Sequence, residues 1–213
     1  MPHDVPDTRD AAPVGDAMPV GAALREAKRT LREDVIARRE ALAPGVRSAA
    51  EVRIAERIGA MPAFTAARVL LMTLPFRNEW DTRPLIAAAH AAGKRVALPR
   101  VDERTRMLEL FQVRVLAHDV GPGYRGIDEP LAHCRPVAAD AIDWVLVPGV
   151  GFDPDCRRLG YGGGFYDRLL PLLATAVPRI AGAFDVQVVE RVPAAPHDIA
   201  VDAVITESRM YTR

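Results

Sequence analysis

VLVPGVGFDPDCRRLGYGGGFYDRLL, residues 145–170, is the stretch on which the reading of this chain turns. It opens as a short apolar run, breaks at Pro148, Gly149 and Gly151, and passes the basic pair Arg157–Arg158. It then thins to bare backbone at Gly160, Gly162, Gly163 and Gly164, four of the chain's 15 glycines, and enters a helix-like pattern at Asp167. Strand, loop and helix in that order make a unit of an α/β fold, in which ligands gather at the carboxyl ends of strands. Without Cβ atoms, main-chain N–H groups can approach an anion, and a helix start favours negative charge. Arg157 and Arg158 would add charge-assisted contacts. Glycine content alone leaves a second reading open, a flexible turn followed by an aspartate that favours the helix dipole.

Working outward, Leu24, Ala27, Leu31, Val35 and Leu42 recur at helical spacing between Lys28, Arg32, Arg38 and Arg39. Pro44-Gly45 should stop that helix, and a second runs from Val46 to Ala60. Most of their charges read as a solvated face. Short apolar or alternating runs at 67–74, 94–99, 107–113, within 141–152, at 179–184 and at 202–206 predict strands. DTRPLIAAAHAAG, 81–93, predicts a helix with Asp81 or Thr82 near its N-cap, Pro84 in the first turn and Gly93 as C-cap. A further helix over 163–176 should be kinked or shortened by Pro171. The alternation predicts an α/β fold, a mostly parallel central sheet flanked by helices on both faces, in three αβα layers. Residues 1–20, with four prolines and no periodicity, read as a disordered tail, and 21–213 as one domain.

Lys plus Arg and Asp plus Glu number 28 each, so no net field draws the chain to nucleic acid or an anionic membrane. There is no apolar run long enough to span a bilayer and no signal-peptide pattern at the start. Cys134 and Cys156 form no framework and read as reduced thiols. A cytoplasmic monomer is expected. No GxxxxGK[ST] exists, and the formal GxGxxG at Gly121, Gly123 and Gly126 holds Pro122 and leads into IDEP, so it is rejected as a dinucleotide fingerprint. His197 beside Asp198 suggests a ligand or base, though a lone loop histidine is more often neither; His3, His90, His118 and His133 show no metal-ligand spacing, and no GxSxG elbow occurs. Asp167 stands where a carboxylate can help hold Mg²⁺ on phosphates, with Asp198 or Asp202 as a distant partner; exposed turn aspartates are an equally ordinary reading.

Together with AKRTLR (27–32), NEWDT (78–82), ALPRV (97–101), GIDEP (126–130) and HDIAVDAVITE (197–207), residues 145–170 resemble the 5-formyltetrahydrofolate cyclo-ligase family, in matching order from about residue 22 onward. The resemblance implies an ATP- and Mg²⁺-dependent conversion of 5-formyltetrahydrofolate to 5,10-methenyltetrahydrofolate, with small molecules as the only partners. It implies ATP contacts by Lys28, Arg32 and Arg158, Leu159, Gly160, Tyr161, Gly162, Gly163, Gly164, Phe165 and Tyr166. Tyr161 to Phe165 would also border the folate, which Glu79 would recognise; Asp167 and Asp198 would hold the metal; Arg32, Tyr161 and Asp167 would be catalytic. Trp80 is a candidate to pack on the substrate ring and Arg100 to meet an anionic group. Two departures stand out: Gly163 replaces a loop lysine common in relatives, and Cys156 replaces a turn glycine. Where the retained acceptor set is not folate-specific, a related acceptor or a non-catalytic binding protein is the alternative.

Overall fold

The computed structural model describes residues 20–213; the segment read as a tail lies outside them except for Val20. Helix α1 (Val20–Glu40) is followed by α2 (Pro44–Gly59), which begins at Pro44 itself. A proline in the first turn lacks an N–H that would have no partner there, so the Pro-Gly pair opens the second helix, and the first has already ended at Glu40, four positions before it. Then come α3 (Pro62–Ala66), β1 (Val69–Leu71), α4 (Arg83–Ala91), β2 (Arg95–Asp102) and β3 (Met107–Val113). A small excursion holds α5 (Leu116–Asp119), β4 (Val120–Pro122), β5 (Asp128–Pro130) and β6 (Arg135–Pro136). The chain continues through β7 (Trp144–Leu146), β8 (Gly151–Phe152), β9 (Arg158–Leu159), α6 (Phe165–Leu169), β10 (Arg179–Gly182), β11 (Ala203–Ile205) and β12 (Met210–Thr212).

Eight strands form one sheet in the order β12-β11-β10-β7-β1-β2-β3-β6. The five from β11 to β2 pair in parallel, and the edges β12, β3 and β6 are antiparallel. Among the parallel strands the chain order is 2-1-3-4-5, that of a doubly wound sheet whose direction reverses between β1 and β7. Side chains divide by alternation. Leu70, Trp144, Leu146 and Ile180 pack with Ile54, Ile58, Leu85 and Ile86 from α2 and α4. Leu71, Val145, Val147 and Ala181 pack on the other face with Tyr166, Leu169 and Leu170 of α6 and the turn after it. Both faces are covered, which is why β1 and β7 read as unbroken apolar runs.

Pro171 does shorten its helix: α6 ends at Leu169 and passes into a 3-10 turn, Leu170–Leu172. The C-cap of α4 is Ala92, and Gly93 follows it at φ 72, the left-handed position that glycine favours. Thr82 occupies the N-cap position, but its hydroxyl donates to the Thr73 carbonyl at 2.6 Å, tying the helix start to the end of β1. The GPGYRG segment forms the β4–β5 hairpin with Arg125 at φ 55 and starts no α-helix, in keeping with its rejection as a dinucleotide loop. Strands β4, β5, β6, β9 and β12 were not expected.

Candidate active site

Where the sheet reverses, the carboxyl ends of β1, β7 and β10 splay around a cleft lined by Thr73, Glu79, Trp80, Pro148, Gly182 and Gln187. Trp80 is 5% exposed and forms a wall of the core, lying so close to Gly182 that a Cβ there would fall 2.6 Å from its ring. Gln187, also buried, donates to the Gly149 and Val150 carbonyls at 3.2 and 2.8 Å and accepts from the Phe184 amide at 3.0 Å. It thereby fixes the chain leaving β7. Glu79 Oε2 accepts from the Phe76 amide at 2.9 Å, and Oε1 accepts from the Tyr161 hydroxyl at 2.9 Å. Burial lifts the Glu79 carboxyl above its ordinary range, against the pull of the Phe76 amide, the Arg39 charge and Tyr161.

The glycine loop leaves the β8–β9 hairpin, whose turn is organised by buried Asp153. Its carboxylate accepts from the Arg157 amide, the Arg157 guanidinium and the Val192 amide at 2.9, 3.2 and 2.9 Å. Cys156 sits in that turn at φ 59, fully buried, so a side chain occupies a left-handed position at a cost of about 1–2 kcal/mol. Beyond β9, Gly162 and Gly164 adopt φ 94 and 67 and require glycine. Among the described residues, no amide from Gly160 to Gly164 donates to a protein acceptor. Five exposed or half-exposed donors in a row make a ready anion cradle. The helix behind them, however, has only five residues, so the dipole expected from the sequence contributes little and the arginines must carry the attraction.

From α1, Arg32 Nε donates to the Gly160 carbonyl at 2.9 Å, bringing its guanidinium beside Gly162. Lys28, one turn earlier, pairs with Asp198 Oδ2, which also accepts from the Ala195 amide at 2.5 Å. Burial alone would raise the Asp198 carboxyl; the Lys28 and Ala195 hydrogen bonds outweigh it and hold it below the usual range. Arg158, 5% exposed, donates to Asp167 Oδ1 at 2.7 Å and to the Pro148 carbonyl at 3.3 Å. The Ile199 amide reaches Asp167 Oδ1 at 3.2 Å, so the two aspartates stand on adjoining segments. A second groove, lined by Arg157, Arg158, Asp198 and Ile199, opens on this side. Arg158 borders it while touching Pro148 of the first cleft, so the glycine loop and Arg158 lie between a Glu79 side and an aspartate side.

Lys28, Arg32, Glu79, Arg158, Tyr161, Asp167 and Asp198 are thus brought to one end of the sheet. Leu159 and Tyr166 point into the core, leaving only their main chain for a ligand. Arg157 is engaged by Asp153 and Asp155, and Arg100 lies 3.9 Å above the Phe111 ring and pairs with Glu109 at 3.2 Å, away from the cleft. Two residues escaped sequence reasoning. Arg168 donates to the Gly163 carbonyl at 3.0 Å and to Arg106, bracing the loop. Arg39 is buried and donates to Tyr161; its place on the Lys28–Arg32–Val35 face was the signal.

A doubly wound sheet that opens two clefts on either side of an anion-cradling loop has the build of an α/β enzyme acting on two small molecules. Residues 24–207 match the family model described as the 5-formyltetrahydrofolate cyclo-ligase family. The 5-formyltetrahydrofolate cyclo-ligase of Escherichia coli K12 is 34% identical over 176 residues, covering 82% of this chain and 97% of that protein. The solution structure of Aquifex aeolicus 5,10-methenyltetrahydrofolate synthetase superposes with a TM-score of 0.77 at 30% identity, over 87% of this chain and 92% of that one. The synthetase of Mycoplasma pneumoniae shares the fold, with a TM-score of 0.69 at 24% identity over 84% and 98%. The chain belongs to the 5-formyltetrahydrofolate cyclo-ligase family and is an enzyme of that ATP-dependent ligase class.

Proposed function

We propose that this chain closes 5-formyltetrahydrofolate to 5,10-methenyltetrahydrofolate with conversion of MgATP to ADP and phosphate, acting as a cytoplasmic monomer of one domain. The N5-formyl group is an amide, a weak electrophile whose oxygen leaves poorly. Transfer of the γ-phosphoryl group to that oxygen yields an iminium phosphate. The N10 lone pair attacks its carbon, the N10 proton is released, and phosphate departs with the C–O electrons as the five-membered ring closes. Such chemistry needs alignment and charge stabilisation and no protein nucleophile.

In this reading Glu79 accepts hydrogen bonds from ring N–H donors of the folate, with Tyr161 to Phe165 along its edge. The free amides of Gly160–Gly164 receive the phosphates, and Lys28, Arg32 and Arg158 offset their charge. No lysine is available at Gly163, so those three carry that task. Asp167 and Asp198 would hold Mg²⁺: among the described residues, Asp167 Oδ2 accepts no hydrogen bond and Asp198 Oδ1 meets only His197 at 4.0 Å, leaving hard oxygen ligands of the kind Mg²⁺ prefers. When bound, the ion neutralises charge shared between the phosphates. The observation that carries the reading is the run of unpartnered loop amides flanked by Arg32 and Arg158. Its test is methenyl absorbance on mixing folded protein with 5-formyltetrahydrofolate and MgATP; absence of an ATP-dependent signal rejects it.

A further inference from the structure

Arg39, at the last turn of α1, is 1% exposed, yet among the described residues the one side-chain acceptor it meets is the Tyr161 hydroxyl, 3.1 Å from Nη2. Its Nε and Nη1 are buried with no partner among the described residues. A guanidinium enclosed in this way is costly unless an anion compensates it. Among the described residues no carboxylate touches it; the nearby negative charge is Glu79, reached through one phenol. The Tyr161 hydroxyl has a single proton, given to Glu79 Oε1 at 2.9 Å, so its lone pair is what Arg39 engages. Both bonds therefore run in one direction, from Arg39 to Tyr161 to Glu79. Burial, then the Glu79 charge, push the Tyr161 hydroxyl well above its ordinary range, and its proton stays in place. The phenol cannot swing freely, because the Phe76 ring meets it edge-on at 5.2 Å while the Phe76 amide holds the other Glu79 oxygen.

We propose that Arg39 is a positioning residue for substrate recognition: acting through the Tyr161 hydroxyl, it keeps Glu79 ionised and aimed into the cleft between β1 and β7. The inference rests on the proposed role of Glu79 in accepting from the folate ring. Each Glu79 oxygen then holds one protein donor and retains lone-pair capacity for the substrate. The groups facing Glu79 are Arg39 from α1, Tyr161 from the glycine loop and Tyr166 from α6, and Arg39 is the one cation among them. Removing that cation disfavours the carboxylate, so Glu79 protonates at higher pH.

Two readouts separate the relay from the activity. In protein labelled with ¹³C at the glutamate carboxyl, the Glu79 resonance is assigned by its loss in Glu79→Gln and titrated without ligand. Arg39→Met should move its midpoint up by about one pH unit, and Arg39→Lys should return it most of the way. In kinetics, the acid limb of kcat/KM for 5-formyltetrahydrofolate should move up by the same amount, about fivefold below wild type at a pH one unit under the new midpoint, with KM for ATP unchanged. An unmoved Glu79 midpoint in a folded Arg39→Met protein overturns the proposal, even if Tm drops, since it leaves Arg39 a purely structural role. Should Arg39→Met not fold, Tyr161→Phe cuts the same chain, and an unmoved midpoint there is equally fatal. A shifted midpoint in a protein whose wild type makes no methenyl product supports the relay and rejects the folate reading.

Discussion

Asp153→Ala is the substitution whose cost can be worked most directly from the structure. The carboxylate is 1% exposed and accepts three hydrogen bonds at the base of the β8–β9 hairpin. Alanine leaves the Val192 amide buried and the Arg157 amide half-buried without acceptors, about 1–3 kcal/mol for each orphaned donor. The ionic component is smaller, because the Arg157 side chain is partly exposed and keeps Asp155 at 2.8 Å; such pairs contribute under about 1 kcal/mol. The expected loss is about 3–4 kcal/mol, or about 10 °C in Tm for a chain of this size. Urea and thermal unfolding followed by circular dichroism measure it. Asp153→Asn, which keeps one oxygen but turns an NH₂ toward a donor, should fall between. KM for ATP should rise in both, since the turn leads directly into Arg158. A loss below about 1 kcal/mol for the alanine variant would refute the view that this carboxylate holds the hairpin.

Asp167→Asn should cut kcat by about a hundredfold or more while leaving Tm within a few degrees, because Oδ1 still accepts from Arg158 and Ile199; near-normal turnover with Mg²⁺ would remove Asp167 from the metal site. Arg32→Ala should raise KM for ATP about tenfold and free the Gly160 carbonyl, with a smaller effect on folate KM; steady-state kinetics with each substrate varied decides it. Asp198 has a depressed folded-state pKa, so the stability it adds is fully present above the unfolded carboxylate value near about 4 and is lost as pH falls through the lower folded value. Wild type should therefore exceed Asp198→Asn in urea midpoint at pH 6 and converge with it in stronger acid; a gap that does not narrow refutes the assignment. Leu71→Ala, at a fully buried position in the middle of the sheet, should cost about 2–5 kcal/mol without altering KM in the folded fraction.

The central sheet was legible because both of its faces are covered: branched runs such as those of β1 and β7 announce burial on each side. Strands β6 and β12 were not: they are the two edges of the sheet, largely exposed, so neither carries the buried apolar run that marks β1 and β7. At the site, Lys28 and Arg32 share a helix face, so their common direction follows from spacing. The Lys28–Asp198 pair spans 170 positions, and nothing local to either residue reports it; only the family resemblance joined them. Arg39 was read as part of a solvated face because helical spacing gives a residue's direction but not whether water or a phenol stands opposite. Arg100, conversely, looked available and is spent on Phe111 and Glu109.

The sealed turn around Cys156 has a practical corollary. Its sulfur is fully enclosed, and burial pushes the thiol above its ordinary pKa, so a thiol-directed reagent finds almost no thiolate to attack while the hairpin is closed. Labelling of that sulfur can proceed only during excursions in which the segment comes apart, and under excess reagent its rate becomes a clock for those openings. A ligand that clasps the neighbouring glycines should slow the clock, reporting occupancy without any chemistry having taken place.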